Sequence, residues 1–562
     1  MNYLKNSLNA LLKPYNLFLS KLSRTQQSTR NNPPLVAYII LAIIWFVVYV
    51  YLSTKYLPSF YYASTDWITL SDRLLSPSEW GLPLKENNTA SLRTIGYPIY
   101  LIITTLGSLD PNLIVNTNYL LAFTTIFASF AITSRIINYK LALLVSCIFV
   151  LSFVPFAFAS TILSEHLIIS LLTILAPLIV LSICKASPTN RFFVVLILGF
   201  LCLVKTLFFP VLLLYSLFLI IEWKFSDSAR SSKGYKLPIA FSFLALILAF
   251  FSNSLFVKNH NSGTFIFGAM NTIMYGSTAC LDNLQSIYKP LIDEGIFDEA
   301  KARDTLRRMD IKANNVLDRS KMSYNDVFET IFSNPTLETY WQIKWVLLNR
   351  MPSEKRANDL ARSLYISYIK KYPIEFIKNT GRNYYNFILG KPRHFNYSYN
   401  TENLFRNEGG LRVYRTNKAT NENLSSFFET YDIKINDYVT TKRAPKFGIK
   451  EDVIIRKFIE CVFVFNAIAF VVWSIVSTVC LCKHFKNKLY ENSPSWLNLL
   501  ISSFLLQAFF WGSALGSVLF HPALGRYILP FLPIVLTSLV VTCCSVSLSL
   551  RDLFKSKSPI VN

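Results

Sequence analysis

Apolar runs of membrane-spanning length dominate this sequence. A helix needs about 20 mostly apolar residues to cross the hydrocarbon core of a bilayer. Only 16% of the 562 residues are charged, whereas 52% are hydrophobic and the mean hydropathy is +0.36. A soluble protein of this length would need far more charged surface. We therefore predict a polytopic α-helical membrane protein with about ten or more spans, near residues 35–56, 111–134, 141–159, 163–184, 192–206, 208–223, 237–256, 454–481, 497–518 and 525–547.

The basic residues indicate how these spans are oriented. The formal net charge of +23 would by itself also be compatible with nucleic-acid binding. When the N-terminus is placed in the cytoplasm, however, the short loops on that side carry Lys and Arg with almost no acidic residues, as the positive-inside rule requires. We therefore expect the lipid bilayer, and no nucleic acid, as a partner. The basic residues concerned are Arg135, Lys140, Lys185, Arg191, Lys224, Arg230, Lys233, Lys236, Lys483, Lys486, Lys488, Arg551, Lys555 and Lys557.

The apolar run 191–223 is too long for one span and too short for two full ones. Lys205 and Pro210 lie in its middle, where a single span would place an ammonium group in hydrocarbon. Division of the run into two spans also keeps every later basic loop on the cytoplasmic side. The sequence thus predicts a tight helical hairpin with Lys205 near its outer tip.

The predicted topology divides the chain into several parts. A long polar segment interrupts the apolar runs, and helical spacing of apolar residues within it predicts a partly helical domain. In chain order, the parts are a cytoplasmic amphipathic segment (1–34), an N-terminal transmembrane module (35–256) that includes the first outer loop (57–110), a mixed, partly helical extracytoplasmic domain (257–453), C-terminal transmembrane helices (454–548) and a basic cytoplasmic tail (549–562).

Polar residues of unusual type gather on the side that this topology places outside. Some lie in the first outer loop, and others lie where spans begin or end at that surface. They are Asp66, Asp72, Arg93, Glu165, His166, Lys205 and Arg526.

Several of these residues also have a purely structural explanation. Asp66 could cap a short helix, and Glu165 would interact favourably with the dipole at the start of the fourth span. Lys205 could extend its ammonium group to the lipid headgroups. Asp72 and His166 fit ordinary polar positions at the membrane interface.

Arg93 and Arg526 are harder to explain structurally, because Arg is uncommon in outer loops and a helix start repels a cation. Gly96 and Pro98 predict a turn into a membrane-entering helix that would hold Arg93 at headgroup level. Cations and carboxylates at one membrane surface suit a reaction that moves a group off an anionic lipid phosphate. The cations would bind the phosphate and stabilise the leaving charge, and a carboxylate would accept a proton from the attacking hydroxyl.

The sequence resembles the integral-membrane GT-C glycosyltransferases, in the bacterial branch near protein mannosyltransferases and the lipid A aminoarabinose transferase. The resemblance covers 35–257 and 454–547; for 257–453 it implies only a variable extracytoplasmic domain. It rests on five stretches in the family's order: TDWITLSDRLL, LRTIGYPIYL, ILSEHLI, GFLCLVKTLFF and GRYILPFLPI.

The resemblance implies a reaction and a location. A sugar would move from a polyprenyl-phosphate donor to the hydroxyl of a glycan, lipid or protein acceptor, with inversion, on the periplasmic side of a bacterial inner membrane. Asp66 would be the catalytic base, and Glu165 a second acid that positions the acceptor or supports Asp66. Arg93, Lys205 and Arg526 would bind the donor phosphate.

The sequence departs from the family pattern at two positions. Ile95 stands where proline is common, and Leu70 stands where a Tyr usually follows the loop Asp. The second difference leaves Asp72 open as an alternative base. With so few carboxylate and imidazole groups available, we expect no required divalent metal and no other cofactor. Further supporting candidates are Asp72, His166, Tyr97 and Tyr527.

Two other classes of membrane protein are alternatives. An O-antigen polymerase or ligase would use diphosphate-linked donors, and we would expect paired arginines in its large outer loops. A lipid-linked-glycan transporter would be expected to bury its charges near mid-bilayer and to show repeat symmetry. The sequence has neither pattern, so both classes are less favoured than a polyprenyl-phosphate-dependent transferase.

Overall fold

The computed structural model describes most of the membrane part of the chain. The predicted segment 1–34, apart from its last two residues, and most of the predicted domain 257–453 lie outside the described residues. The described ranges are 33–55, 62–79, 94–160, 162–185, 187–225, 233–256, 372–390, 449–486, 495–520 and 525–555, with a few positions between 359 and 370.

Every regular element in these ranges is helical. Short 3-10 turns connect or precede some of the α-helices, at Pro77–Glu79, Thr206–Phe208, Lys233–Tyr235 and Leu529–Phe531. The α-helices are α1 (Leu35–Lys55), α2 (Tyr62–Leu75), α3 (Gly96–Thr105), α4 (Pro111–Ser134), α5 (Tyr139–Leu151), α6 (Val154–Ala159), α7 (Ser164–Cys184), α8 (Pro188–Val204), α9 (Phe209–Phe225), α10 (Lys236–Phe256), α11 (Pro373–Ile388), α12 (Ile449–Lys486), α13 (Ser495–Phe520), α14 (Gly525–Ile528) and α15 (Leu532–Lys555).

Seven described helices are long and apolar enough to cross a membrane. This finding confirms the prediction of a helical integral membrane protein. The remaining predicted spans coincide with shorter apolar helices, which are Tyr139–Leu151, Pro188–Val204 and Lys236–Ala249.

Helix α7 forms the centre of the bundle. It packs against α4, α8, α13 and α15, and 83% of its apolar window is buried inside the protein. By contrast, only 22% of the window in α1 is buried. A helix that is apolar on all sides is buried or faces lipid. Helix α7 is the buried case, and the low burial of α1 is typical of a lipid-facing helix. Glu165 and His166, in the first turn of α7, are therefore held by the most enclosed element of the fold.

Helices α8 and α9 form the predicted hairpin. The two helices are antiparallel, because Arg191 near the start of α8 forms an ion pair with Glu222 near the end of α9. Arg191 was predicted to lie in a basic loop, but it is in the first turn of α8 and is fully buried. It packs over the rings of Phe218 and Tyr235, at 5.6 and 5.1 Å from the ring centroids. The Tyr235 hydroxyl also donates to Glu222. Arg191 and its partners thus connect α8 and α9 at the end of the hairpin opposite Lys205.

The tip of the hairpin meets the C-terminal helices. We call the end of the bundle at which α7 begins the Glu165 end. Phe208 beside this tip lies 6.0 Å from Phe509 of α13 and 6.1 Å from Phe531, between ring centroids. The end of α13 and the start of α15 therefore lie at the Glu165 end, although more than 300 residues separate them from the hairpin along the chain.

Helix α11 comes from the segment that the sequence assigned to an extracytoplasmic domain. It packs against α13 and α12, with Phe387 at 6.2 Å from Phe510 between ring centroids. The Tyr384 hydroxyl donates to the Trp511 carbonyl oxygen at 3.3 Å. Both partners lie inside the apolar stretch Leu497–Leu519. The C-terminal half of α11 is thus part of the helix bundle.

Candidate functional site

An ion pair between Glu165 and Lys205 lies at the Glu165 end. The Lys205 Nζ atom donates to Glu165 Oε1 at 3.1 Å, and Ser164 Oγ donates to Glu165 Oε2 at 3.2 Å. The Glu165 side chain is 6% exposed and the Lys205 side chain 27% exposed. The carboxylate is therefore enclosed, whereas part of the ammonium side chain faces outward. The sequence could not foresee this pairing, since the residues lie on different helices.

Local backbone conformation explains the position of Lys205. The residue is extended, with φ −153° and ψ 123°, and it separates the end of α8 from the following 3-10 turn. Pro210 then stands in the first turn of α9, where a missing N–H costs no helical hydrogen bond. Because the helix is interrupted here, the side chain of Lys205 projects from the hairpin tip toward Glu165. Its ammonium group also lies 4.8 Å from the centroid of the Tyr527 ring, in a cation–π contact.

The segment that contains Gly96 is attached directly to the end of α8. The Thr94 hydroxyl donates to the Val204 carbonyl oxygen at 2.5 Å, which satisfies one of the carbonyl groups left without an intrahelical partner where α8 ends. A Cβ atom on Gly96 would lie 2.5 Å from the backbone of Leu203 and Val204. Gly96 therefore permits a close backbone approach, and α3 is only 10 residues long, too short to span a bilayer. A helix does begin at Gly96, where the sequence predicted one, and whether it enters the membrane stays a prediction.

Tyr97 connects this segment to helix α2. It is fully buried, and its ring packs edge-on against Trp67 of α2 at 5.3 Å between centroids. Burial, with smaller contributions from the neighbouring Tyr100 and Glu165, raises the pKa of Tyr97 well above its ordinary value. Its hydroxyl has no hydrogen-bond partner among the described residues. A buried phenol beside the ion pair is thus one wall of the site.

Three predicted site residues have side chains outside the described part of the structure, yet each adjoins a residue that reaches this centre. Asp66 lies in α2 immediately before Trp67. Arg93 precedes Thr94, and Arg526 of α14 precedes Tyr527. The backbones of Asp66 and Arg526 therefore lie beside the contacts that surround Tyr97 and Lys205, whereas Arg93 as a whole lies outside the described residues. The sequence identified Asp66, Arg93 and Arg526 as separate candidates. The fold brings the residues that follow them in the chain, Trp67, Thr94 and Tyr527, into contact with the segments around Lys205 and Tyr97.

Helix α2 corrects one interpretation of Asp66. The helix begins at Tyr62, so Asp66 lies in its interior and is no N-cap. Asp72, the alternative base, is exposed on the same helix. The neighbouring Arg73 is only 5% exposed. Arg73 is thus a buried cation in the last turn of α2 that sequence reasoning did not single out.

His166 is enclosed by protein, which corrects its interpretation as an ordinary polar residue of the membrane interface. It is fully buried, and neither ring nitrogen makes a hydrogen bond of standard geometry among the described residues, although the Asn118 backbone lies close enough to interact with the imidazole. The neighbouring polar groups are satisfied: the Tyr100 hydroxyl donates to Asn118 Oδ1 at 2.8 Å, and Asn118 Nδ2 donates to the Ala159 carbonyl oxygen at 3.3 Å. His166 thus lies behind the ion pair, beside a closed hydrogen-bond network.

The contrast between His166 and Asn118 gives a stability prediction. We expect His166→Leu to leave thermal stability unchanged or raised, because a buried polar group without a well-formed hydrogen bond costs about 1–3 kcal/mol. Asn118→Leu should lower the free energy of unfolding by about 1–3 kcal/mol, because it leaves the Tyr100 hydroxyl and the Ala159 carbonyl without their partner. Thermal unfolding of the purified protein would measure both. A destabilised His166→Leu protein with an unaffected Asn118→Leu protein would contradict this interpretation.

No group of three or more His, Cys, Asp or Glu residues that could bind a metal ion occurs among the described side chains. Comparison of the whole chain with profiles of known families, with curated proteins and with solved structures finds no match. The chemistry of the site must therefore be argued from its own residues.

The arrangement is suited to binding an anion at the membrane surface. The Lys205 ammonium has three N–H donors, of which one points to Glu165. Tyr527 supports one side of the ammonium, and the partly exposed remainder can meet an incoming oxyanion. The enclosed Glu165 carboxylate fixes the position of the cation before the anion arrives, so little ordering is needed on binding.

Proposed function

We propose that this protein is a membrane glycosyltransferase that moves a sugar from a polyprenyl-phosphate donor to an acceptor hydroxyl. The main support is the convergence of three separate segments on the hairpin tip: Glu165 and Tyr527 contact Lys205, and Thr94 donates to the preceding Val204 carbonyl oxygen. Two of them adjoin Arg93 and Arg526, the other predicted phosphate ligands. A cation cluster at one end of a helix bundle fits a lipid-borne phosphate better than a soluble nucleotide.

Each residue has a role in this proposal. Lys205, Arg93 and Arg526 bind the donor phosphate and stabilise its charge as the glycosidic bond to it breaks. Asp66, or Asp72 as the alternative, accepts the proton of the acceptor hydroxyl during a single inverting displacement. Glu165 fixes Lys205 and helps to position the acceptor. The reaction requires no metal or other cofactor, and it takes place on the periplasmic side of a bacterial inner membrane.

Binding of undecaprenyl phosphate tests the proposal independently of the sugar, because all donors of this class share that group. The measurement is the change in melting temperature of the full-length protein with undecaprenyl phosphate, undecaprenyl diphosphate or phosphatidylglycerol. We expect the largest stabilisation from undecaprenyl phosphate. Stronger binding of the diphosphate would favour a polymerase or ligase, and equal effects of all three lipids would contradict a donor site.

Arg93→Ala should weaken binding of undecaprenyl phosphate about tenfold, the value of one charge-assisted hydrogen bond. Arg135→Ala is the matched control, because Arg135 is exposed in the turn that follows α4, at the opposite end of the bundle. Asp66→Asn should retain binding and lose sugar transfer. An Asp66→Asn protein that still transfers sugar from donors of this class would leave Asp72 as the candidate base.

A further inference from the structure

Helix α11 has an exposed face that the proposed reaction does not use. Ile374 and Ile377 are 69% and 68% exposed, and Tyr385 is 60% exposed. Lys378 and Arg382 are exposed on the same side, at intervals of about one helical turn from Ile374. One side of this helix therefore combines large apolar side chains with two cations.

The opposite face of α11 is anchored in the membrane part of the protein. Phe387 is fully buried, and it lies 5.7 Å from Phe531 between ring centroids. A Cβ atom on Gly390, just beyond the helix, would lie 2.9 Å from Phe463 of α12, inside the apolar stretch Lys457–Val479. Toward its N-terminal side, the Tyr365 hydroxyl donates to the Leu519 carbonyl oxygen at the end of α13, at 2.8 Å. The chain before α11 thus contacts the C-terminal end of α13, and the C-terminal end of α11 packs beside the apolar stretch of α12.

We infer that α11 is an interfacial helix whose exposed face binds anionic phospholipids. Because α11 packs against the apolar stretches of α12 and α13, we expect lipid beside its exposed face, and an amphipathic helix with Lys and Arg beside its apolar residues binds at the headgroup boundary. Lys378 and Arg382 are complementary in charge to lipid phosphates. Tyr385 is of the type enriched at the membrane–water interface. The inference concerns the surrounding bilayer and does not depend on the proposed reaction.

Photo-crosslinking in nanodiscs tests which molecules contact this face. The photoreactive amino acid benzoylphenylalanine would replace Ile377 in the full-length protein, in a bilayer of phosphatidylcholine and labelled phosphatidylglycerol. Phe504 of α13, which is 53% exposed, is the positive control for a lipid-facing position. We expect lipid adducts at both positions. Adducts at Phe504 together with only protein adducts at position 377, to this chain or to a second copy, would overturn the inference.

The two cations provide the second test. Lys378→Gln and Arg382→Gln together should lower the share of phosphatidylglycerol in the adducts at position 377, by up to about fivefold per cation removed. The share at Phe504 should not change. An unchanged share at position 377, or equal labelling by both lipids in the protein that keeps the cations, would show that the face has no preference for anionic headgroups.

Discussion

Lys205→Met should reduce sugar transfer at least about 100-fold, because loss of one preorganised charge that stabilises a transition state typically costs about 10²–10³ in rate. It should also destabilise the protein, because Glu165 is left enclosed without its counter-ion. Breaking a buried pair costs about 3–5 kcal/mol, and we expect about 2–3 kcal/mol here, since Lys205 is 27% exposed. Transfer assays and thermal unfolding would measure the two effects separately.

A double variant distinguishes the loss of charge balance from the loss of the binding site. Glu165→Gln combined with Lys205→Met removes both charges, so its stability should return toward that of the unmodified protein. Its transfer activity should stay as low as that of Lys205→Met alone. If the double variant were as unstable as Lys205→Met, the ion pair would not be the source of the stability effect.

Gly96→Ala should destabilise the protein by about 1–3 kcal/mol or more and impair transfer, because the new methyl group has no space. Its Cβ atom would lie 2.5 Å from Leu203 C and Val204 N and 2.7 Å from Leu203 O, all of them backbone atoms. The helices α3 and α8 would have to separate, which would break the hydrogen bond from Thr94 to Val204 and displace Lys205. Melting temperature and transfer rate are the measurements.

Gly512→Ala in α13 is the matched control for this substitution. A Cβ atom there would meet nothing within 4 Å, so the only expected effect is a gain of about 0.5–1 kcal/mol from the better helix propensity of Ala. If Gly96→Ala behaved like Gly512→Ala, the close contact between α3 and α8 would not exist in the protein.

Hydropathy predicted that the chain is a helical membrane protein, and it located several of the described helices. The predicted span 111–134 coincides with α4, and the helical hairpin around Lys205 is present as expected. These features depend on local composition. A run of about 20 apolar residues is long enough to span the bilayer wherever it occurs in the chain, and an ammonium group in hydrocarbon is costly wherever it occurs. Helix α11 was not predicted as an element of the bundle, because it is not long or apolar enough to stand out in hydropathy.

The roles of individual residues were less predictable. Asp66 was compatible with an N-cap, which the helix bounds exclude, and His166 with an exposed polar position, which its burial excludes. A cap depends on the residue at which the helix begins, and burial depends on which neighbours pack over the side chain. In the same way, Arg191 looked like a loop cation until its partner Glu222 was seen on the next helix.

The sequence by itself determined that the chain forms apolar helices, how they are divided, and which polar residues are out of place in them. It did so because the formation and orientation of a span depend on the length and hydrophobicity of the segment and on the charges that flank it, all of which are local in sequence. Only the tertiary structure decided that Glu165 pairs with Lys205, that Tyr527 lies against the same ammonium group, and that Gly96 serves a close approach between backbones. These contacts join residues far apart in the chain, and they follow from how the helices pack together.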